Sequence, residues 1–358
     1  MDPVLEKISA TVREAAGERR PLRLRGGGSK DFYGQALQGD ILDLRAYTGI
    51  VAYEPSELVI TARCGTPLAE IERALRERGQ MLAFEPPHFG EGATLGGMVA
   101  AGLSGPRRQA AGAVRDFVLG VRIMDGRGEV LAFGGQVMKN VAGYDVSRLM
   151  AGALGTLGAI LEVSLKVLPV PVAEATIRLE LPEDRVIEQL NQWGGKPLPI
   201  SASAWTDDEL CVRLSGAAAA VKAAREKIGG ETVDAVQSER FWSGIREHSD
   251  MFFRASTESG AALWRMSLPS TTPPLALPGA QLIEWGGALR WLVSQADPRA
   301  IRGAAQRAGG HATLFRGGDK SVGVFQPLAP ALVDLHRKLK REFDPQGVFN
   351  PGRMYADL

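Results

Sequence analysis

The chain has 358 residues, of which 45% are apolar and 23% charged, and a formal net charge of +1 at pH 7. This length is comfortable for two domains, and the composition is typical of an ordinary globular protein. The near-neutral charge gives no electrostatic reason to expect nucleic acid or an anionic membrane as a partner.

The cysteines and the N-terminal residues indicate what kinds of metal site and cellular location to expect. Cys64 and Cys211 fit neither a zinc nor an iron–sulfur spacing, so we expect no metal site here and any metal cluster in a partner chain. Residues 1–20 carry acids early and lack a continuous apolar core, which predicts an amphipathic helix rather than a signal peptide. No run of about 18 apolar residues is present to span a membrane. We therefore expect a cytoplasmic protein that associates with a membrane, if at all, only through a partner.

Residues 25–29 read RGGGS directly after an apolar approach through Leu22 and Leu24 that is typical of a strand. Three consecutive glycines suit the close approach of a ligand, and successive backbone N–H groups can form a nest for an anion. A phosphate-bearing cofactor is therefore the first candidate ligand, although an isolated Gly-rich turn is more often a simple loop.

The first 170 residues otherwise alternate short strands and helices, with two more Gly-rich segments at 90–105 (GEGATLGGMVAAGLSG) and 152–158 (GALGTLG). Neither a Gly-Lys-Ser/Thr ending nor a Gly-x-Gly-x-x-Gly turn with a suitably placed acid is present, which disfavours a P-loop nucleotidase and a Rossmann dehydrogenase. The pattern predicts an α+β domain with hairpins. Its predicted strands are 41–44, 58–62, 117–124, 129–133 and 159–167, and its predicted helix is 67–78.

After Pro169-Val170-Pro171 a similar series of strands and helices occurs twice, which predicts two ferredoxin-like halves joined by a helix at 241–253. In the second half the Pro-rich segment 267–279 replaces the first helix. The first half has strands at 176–181, 200–205, 210–214 and 231–236 and helices at 183–193 and 217–228. The second half has strands at 263–268, 281–285, 289–293 and 312–315 and a helix at 298–308. A last helix at 328–343 precedes FDPQGVFNPGR.

RGGGS, the 90–105 segment, KNVAGYDVSRLMAGALGTLGAILEVSLKVLP and FDPQGVFNPGR together resemble the FAD-binding fold of the vanillyl-alcohol oxidase and p-cresol methylhydroxylase (PCMH) superfamily. Within it, the chain looks most like the FAD-binding subunits of bacterial glycolate oxidase. The resemblance implies an α+β protein with a PCMH-type FAD-binding domain of two α/β subdomains at 1–170. A smaller ferredoxin-like cap domain at 171–318 and a C-terminal segment at 319–358 that returns to the first domain complete the expected organisation.

The resemblance also implies the cofactor and its contacts. The first Gly-rich loop would hold the FAD diphosphate through backbone amides without requiring a protein cation, the second would flank the isoalloxazine, and the third would lie near adenine and ribose. We expect non-covalent FAD, because Ser29 stands where some members carry the attaching histidine and neither cysteine lies in the second loop. The implied FAD-binding residues are Arg25, Gly26, Gly27, Gly28, Ser29, Thr94, Leu95, Gly96, Gly97, Ser104, Gly155, Thr156, Gly158, Ile160, Asn350 and Arg353.

No catalytic residue can be named from the sequence, because the late H-x-G-D-G-N-type segment of related D-2-hydroxy acid dehydrogenases is missing. A set of further residues has both a functional and a structural interpretation. The structural one is the commoner for each except Tyr144 and Asp145, for which the two are equally probable, and for Arg107 and Arg108 it is a position at the surface. This set comprises His88 and His311, the pair Arg107 and Arg108, the pair Tyr144 and Asp145, and the tryptophans Trp242, Trp264, Trp285 and Trp291.

The resemblance implies a function in glycolate catabolism. The chain would be the FAD-binding subunit of a heteromeric glycolate oxidase that converts glycolate or another short 2-hydroxy acid to the 2-oxo acid. A sibling flavoprotein and an iron–sulfur subunit would be its partners, and electrons would pass to a quinone. Two alternatives stay open: a self-sufficient FAD-dependent dehydrogenase of another hydroxy acid or alcohol, and a non-catalytic assembly scaffold.

Overall fold

The structure is a computed structural model that describes residues 2–135 and 145–358. Most of the KNVAGYD motif, including Tyr144, lies outside the described residues. The chain divides into two compact units. The first comprises the residues up to Leu103 together with Ala113–Pro169 and Pro327–Leu358, and the second comprises Ser104–Gly112 and Val170–Gln326. Residues 104–112 and 319–326 thus belong to the second unit, whereas the sequence assigned them to the first domain and to the C-terminal segment.

The strands of both units are numbered here in chain order. They are β1 Leu22–Arg25, β2 Asp40–Asp43, β3 Ile50–Glu54, β4 Val59–Arg63, β5 Gln80–Met81, β6 Val118–Met124, β7 Val130–Gly134, β8 Ala159–Lys166, β9 Leu168–Pro169, β10 Ala173–Glu180, β11 Ile200–Thr206, β12 Glu209–Gly216, β13 Glu231–Val233, β14 Ala262–Ser267, β15 Ala280–Glu284, β16 Leu289–Ser294 and β17 His311–Arg316.

The α-helices are numbered in the same way. They are α1 Pro3–Glu18, α2 Leu68–Arg76, α3 Leu95–Ala101, α4 Arg108–Ala111, α5 Val114–Phe117, α6 Val146–Leu149, α7 Glu183–Gly194, α8 Ala218–Ile228, α9 Ala235–Glu247, α10 Met251–Ser259, α11 Pro298–Arg307 and α12 Pro330–Phe343.

The first unit contains a five-stranded antiparallel sheet and a short parallel pair. The sheet has the order β3-β4-β8-β6-β7, and β1 pairs with β2 in parallel. Leu22 of β1 also forms a parallel bridge with Phe349 of the closing motif. The N-terminal helix α1 begins at the cap residue Asp2, whose carboxylate accepts the N–H of Val4 at 2.9 Å. The loop after β1 contains the first Gly-rich segment and the loop before β8 contains the third, while the second segment includes α3.

The second unit is built on one eight-stranded sheet with the order β13-β10-β12-β11-β15-β16-β14-β17. The first four strands, with α7 and α8, have the βαββαβ order of a ferredoxin-like fold. In the sheet, the last four strands have the same arrangement as the first four, but in reverse. The two halves meet where β11 pairs antiparallel with β15. No helix lies between β14 and β15, a stretch that is described throughout, so the Pro-rich segment does replace the first helix of this half. The α+β fold class is confirmed.

The predicted linking helix at 241–253 is wrong. The structure has two helices, α9 and α10, separated at His248, whose φ of 54° is left-handed. The carboxylate of Asp250 accepts the N–H of Phe252 at 3.0 Å and so begins α10. His248 therefore ends α9 and Asp250 begins α10, and the apolar periodicity of the sequence does not show this pair of caps.

Candidate cofactor-binding site

Two overlapping cavities of about 410 and about 570 Å³ form one groove in the first unit. The groove is lined by the first Gly-rich loop, by α3, by the loop before β8 and by the closing motif. The two cavities share Leu24, Arg25, Gly26, Thr94, Gly97, Ala100, Leu154 and Asn350. Of the residues that the sequence assigned to the cofactor, all but Leu95, Ser104 and Thr156 line this groove.

The first two Gly-rich loops pack directly on each other. A Cβ atom at Gly27 would overlap the carbonyl group of Gly92, and one at Gly26 would overlap the hydroxyl of Thr94. A Cβ atom at Gly96 would lie 2.7 Å from that of Cys64. These glycines are therefore needed for the contact between loops as much as for access by a ligand. A valine at Gly27 would therefore disturb the contact between the two loops as well as the access of a ligand.

Helix α3 presents a different kind of glycine to the groove. Its cap residue Thr94 accepts the N–H of Gly97 at 3.3 Å. A Cβ atom at Gly97 would meet only the Thr94 hydroxyl, at 3.2 Å, and Gly97 lines both cavities. Leu95 is buried and donates its N–H to the carbonyl of Thr66 at 3.0 Å, so its side chain belongs to the core. The absence of a side chain at Gly97 thus leaves room in the groove for a bound group.

In the third loop, neighbouring residues face different cavities. Gly155, Gly158 and Ile160 line the groove. Thr156 lines a separate cavity of about 570 Å³, and its hydroxyl donates to the carbonyl of Ala153 at 2.7 Å. Thr156 therefore stabilises the turn of this loop.

Asn350 uses both ends of its amide to hold the groove together. Its Oδ1 accepts the N–H of Leu24 at 2.9 Å, and its Nδ2 donates to the carbonyl of Leu154 at 2.6 Å. Its own N–H donates to the carbonyl of Leu22 at 2.9 Å. Asn350 thus ties β1 to the third loop, and a Cβ atom at Gly155 would lie 2.7 Å from its Nδ2.

Arg353 organises the chain that follows the first loop. Its buried guanidinium donates to the carbonyls of Asp31, at 3.0 Å, and of Tyr33 and Gln35. Burial lowers the pKa of Arg353 to about 10, and the charge of Asp31 opposes this shift. A positive charge is therefore held behind the loop by carbonyl dipoles.

The sequence did not reveal the buried ion pair of Lys340 and Asp344. Lys340 Nζ lies 2.7 Å from the carboxylate of Asp344 and donates to the carbonyls of Thr156 and Phe349, both at 2.7 Å. The same carboxylate accepts the N–H groups of Val348 and Phe349. Burial lowers the pKa of Lys340, and Asp344 opposes the shift. This pair holds α12, the third loop and the closing motif in one arrangement.

Cys64 also lines the groove, although it lies outside the Gly-rich segments. Burial raises the pKa of its thiol to about 12, so the group is neutral near pH 7. A neutral, buried thiol is a poor nucleophile. No pattern in the sequence indicates that Cys64 lines the groove, because its place there depends on its packing against Gly96.

Most of the remaining sequence candidates lie in the second unit. Ser104, Arg107 and Arg108 belong to that unit. Arg107 is buried and donates to Glu174 at 2.9 Å and to Ser215 at 3.0 Å, so its interpretation as a surface residue is wrong. The guanidinium of Arg108 lies 4.3 Å from the ring centroid of Trp285. His311 is exposed at the start of β17, and the tryptophans Trp242, Trp264, Trp285 and Trp291 are buried as expected.

The other two candidates lie in the first unit but not in the lining of the groove. His88 Nε2 lies 3.2 Å from the carboxylate of Glu72, and its carbonyl accepts Lys30 Nζ at 3.1 Å. Asp145 accepts the N–H of Arg148 at 3.2 Å and caps the short helix α6. The structural interpretation of Asp145 is therefore confirmed.

The second unit also contains a buried histidine that the sequence did not single out. The ring of His248 stacks on that of Phe253 with centroids 3.9 Å apart and meets the edge of Trp291 at 4.6 Å. Burial lowers the pKa of His248 well below its usual value, and Arg316 and Arg265 lower it further. His248 is thus a neutral member of an aromatic core.

Comparison with known proteins first defines the class. The FAD binding domain family matches residues 5–134. A solved structure of alkyldihydroxyacetonephosphate synthase, 15% identical, superposes with a TM-score of 0.63 over 97% of this chain and 75% of its own, which is a likeness of fold. The glycine-lined groove, with its space beside Gly97 and the cations Arg25, Lys30 and Arg353 in its lining, fits a dinucleotide that carries a diphosphate. The chain has a PCMH-type FAD-binding domain.

The family follows from a closer relative. Glycolate oxidase subunit GlcE of Escherichia coli K12 is 52% identical over 97% of this chain and 96% of its own length. The chain belongs to this family of glycolate oxidase subunits. Glycolate oxidase subunit GlcD of Bacillus subtilis is 28% identical over 48% of this chain and 37% of its own. A D-lactate dehydrogenase of Archaeoglobus fulgidus is 31% identical over 46% of this chain and 37% of its own length.

Residues 2–135 and 145–358 contain neither a membrane-spanning helix nor a cluster of metal ligands. No helix there is both long and apolar enough to cross a membrane. No group of three or more histidine, cysteine, aspartate and glutamate side chains in these ranges is placed to hold a metal ion.

Proposed function

We propose that this chain is the FAD-binding subunit of a heteromeric glycolate oxidase, in which glycolate or a similar short 2-hydroxy acid is oxidised to the 2-oxo acid. The observation that carries the proposal is the glycine-lined groove, in a chain 52% identical to a glycolate oxidase subunit over 97% of its length. The partners would be a sibling flavoprotein and an iron–sulfur subunit that passes electrons to a quinone. We place the complex in the cytoplasm, peripheral at the inner membrane through its partners.

Within the first unit, each part of the groove has a separate task. The backbone of Gly26, Gly27, Gly28 and Ser29 binds the diphosphate, and Gly97 leaves room beside it. Gly155, Gly158 and Ile160 form the wall of the groove next to Asn350. Leu95 belongs to the core at the start of α3, and Thr156 stabilises the turn of the third loop, so neither is assigned a contact with FAD. Ser104 lies in the second unit, which we propose to be the cap domain, so we do not assign it to this groove.

We further propose that FAD binds non-covalently. Ser29 occupies the attachment position of the first loop, and the Cys64 thiol, with a pKa of about 12, is protonated near pH 7. The bound flavin would accept and pass on electrons. Among the described residues that line the groove, the one carboxylate is that of Asp31, and it is ion-paired with Arg23. This lining favours a flavin that receives electrons over one that oxidises substrate with a base from this groove.

The test is the visible spectrum of the purified chain, before and after anaerobic glycolate. A flavin spectrum that stays oxidised with glycolate, but bleaches when the partner subunits are added, is the expected result. Bleaching by glycolate in the isolated chain would instead make it a self-sufficient dehydrogenase. A protein that stays colourless after incubation with FAD would be an assembly scaffold and would overturn the proposal.

A further inference from the structure

The first Gly-rich loop carries a cation within its own concavity. Because Gly28 has a φ of 75° and no side chain, the guanidinium of Arg25 folds back over it. A Cβ atom at Gly28 would lie 2.5 Å from Arg25 Nη2 and 2.8 Å from Arg25 Nε. Arg25 lines both cavities of the groove, and 38% of its side-chain surface is exposed. The charge of Arg25 is thus already beside the backbone that would meet a diphosphate.

Arg25 is held in this position by a weak tether. Its Nε lies 3.2 Å from the carboxylate of Asp31, but it is buried and makes no hydrogen bond to any described residue. The same carboxylate oxygen is ion-paired with Nη2 of Arg23, which lines neither cavity. Asp31 would therefore keep a cationic partner if Arg25 moved away.

The other cations near the loop are engaged in a different way. Arg353 donates to backbone carbonyls of residues that follow the loop, and Lys30 Nζ donates to the carbonyl of His88 at 3.1 Å. Removing either one would leave carbonyl groups without a donor, which costs free energy. Arg25 can exchange one anion for another, because its contact with Asp31 is an ion pair and its side chain lies at the surface of the groove.

We propose that Arg25 is the diphosphate-binding cation of this groove, released from Asp31 when FAD binds, while Arg23 stays on Asp31. The inference rests on the proposed function, since it concerns the same groove. A planar guanidinium can give two parallel N–H bonds to phosphate oxygens, which are stronger than its off-axis contact with Asp31. The backbone nest is then completed by a side-chain cation, contrary to the expectation from the sequence that none is needed.

The test measures dissociation constants for FAD and for riboflavin, which lacks the diphosphate, by flavin fluorescence. Arg25→Gln should weaken FAD binding about 10- to 100-fold, the range for a hydrogen bond to a charged group, and leave riboflavin binding unchanged. The matched control is Arg20→Gln. Arg20 is 33% exposed, is ion-paired with Asp40 at 2.7 Å, and lines neither cavity. It should leave both constants within about twofold of the wild type, as for an exposed ion pair.

Asp31→Asn should change the affinity for FAD in the opposite direction to Arg25→Gln. With the tether neutralised, FAD should bind about two- to fivefold more tightly, because an ion pair of this exposure is worth up to about 1 kcal/mol. In the wild type, added NaCl should weaken FAD binding while riboflavin binding stays constant, because salt screens the guanidinium and the diphosphate. This last measurement needs no variant and so does not depend on how Arg25→Gln folds.

The outcomes separate this proposal from the one on which it rests. Equal FAD affinity of Arg25→Gln and Arg20→Gln, an equal loss of FAD and riboflavin, or equal salt dependence of the two ligands would overturn the role of Arg25 and leave the FAD site in place. Weaker FAD binding by Asp31→Asn would overturn the competition between Asp31 and the diphosphate. A wild-type chain that binds neither ligand would overturn the proposed function and this inference together.

Discussion

The first Gly-rich loop and the closing segment line the same groove, but they are held in place by opposite means. The loop lacks side chains at Gly26 and Gly27, and its backbone packs against Gly92 and Thr94. The closing segment, residues 327–358, uses the polar side chains of Lys340, Asn350 and Arg353, which donate to backbone carbonyls of other segments. One side of the groove is thus shaped by glycines that lack side chains, and the other side by polar side chains that bond backbone carbonyls.

The largest effect should come from breaking the polar side of the groove. Lys340→Met leaves the buried carboxylate of Asp344 without its cation, and the loss of one partner of a buried pair costs about 3–5 kcal/mol of unfolding free energy. Urea unfolding would measure it. Lys338→Met, an exposed change on the same helix, should cost less than about 0.5 kcal/mol. Equal stability of the two variants would mean that the pair does not hold the closing segment.

On the glycine side, a single methyl group should be enough to force the loops apart. Gly27→Ala places a Cβ atom on the carbonyl of Gly92, and overpacking of this kind costs about 1–3 kcal/mol. Gly17→Ala in α1 meets nothing within 4 Å and should instead stabilise the chain by up to about 1 kcal/mol. Thermal unfolding of both variants would compare them. A Gly27→Ala variant as stable as the wild type would refute the role of loop contact.

The two functions of the glycines can be separated at Gly97. Gly97→Leu should add atoms to the groove at the cost of a small shift of the Thr94 hydroxyl, 3.2 Å from the new Cβ atom, so FAD affinity should fall at least tenfold, about 1.4 kcal/mol. Titration of the apoprotein with FAD measures the loss. Gly17→Leu is the matched helical control, and its affinity should be unchanged. Normal FAD binding by Gly97→Leu would move the cofactor away from this wall.

The smallest effect concerns His248 of the second unit, whose pKa is lowered by burial as that of Lys340 is in the first unit. His248 is neutral in the folded chain because its pKa lies well below 6.5. The unfolded chain takes up a proton there below pH 6.5, so stability is fully present above that pH and falls as pH decreases. The slope is at most about 1.4 kcal/mol per pH unit.

Urea unfolding at several pH values between 7.5 and 5 would isolate this contribution. His248→Phe keeps a ring beside Phe253 but cannot titrate, so its unfolding free energy should change less with acidification than that of the wild type. The left-handed backbone at His248 lowers the stability of the variant by a constant amount, which does not alter the slope. Identical slopes for the two proteins would contradict a buried neutral imidazole.

The local patterns of the sequence determined the elements and the Gly-rich loops of this protein. The strand predicted at 159–167 is β8 at Ala159–Lys166, and the two ferredoxin-like series were evident from the alternation of strands and helices. These features are encoded by residues that are neighbours in the chain, and so they can be read from periodicity and turn residues. The glycines of 26–28 indicated a ligand for the same reason.

Only the tertiary structure decided what the side chains around the groove do. Asn350 bonds a residue 326 positions away in the chain, and Lys340 bonds one 184 positions away. Such contacts leave no local pattern, because any segment with a carbonyl or N–H group can serve as the partner. For the same reason the tether between Arg25 and Asp31 became visible only when the loop had folded around Gly28. A sequence records which groups are present, and the fold decides which of them are already satisfied and which are left to meet a ligand.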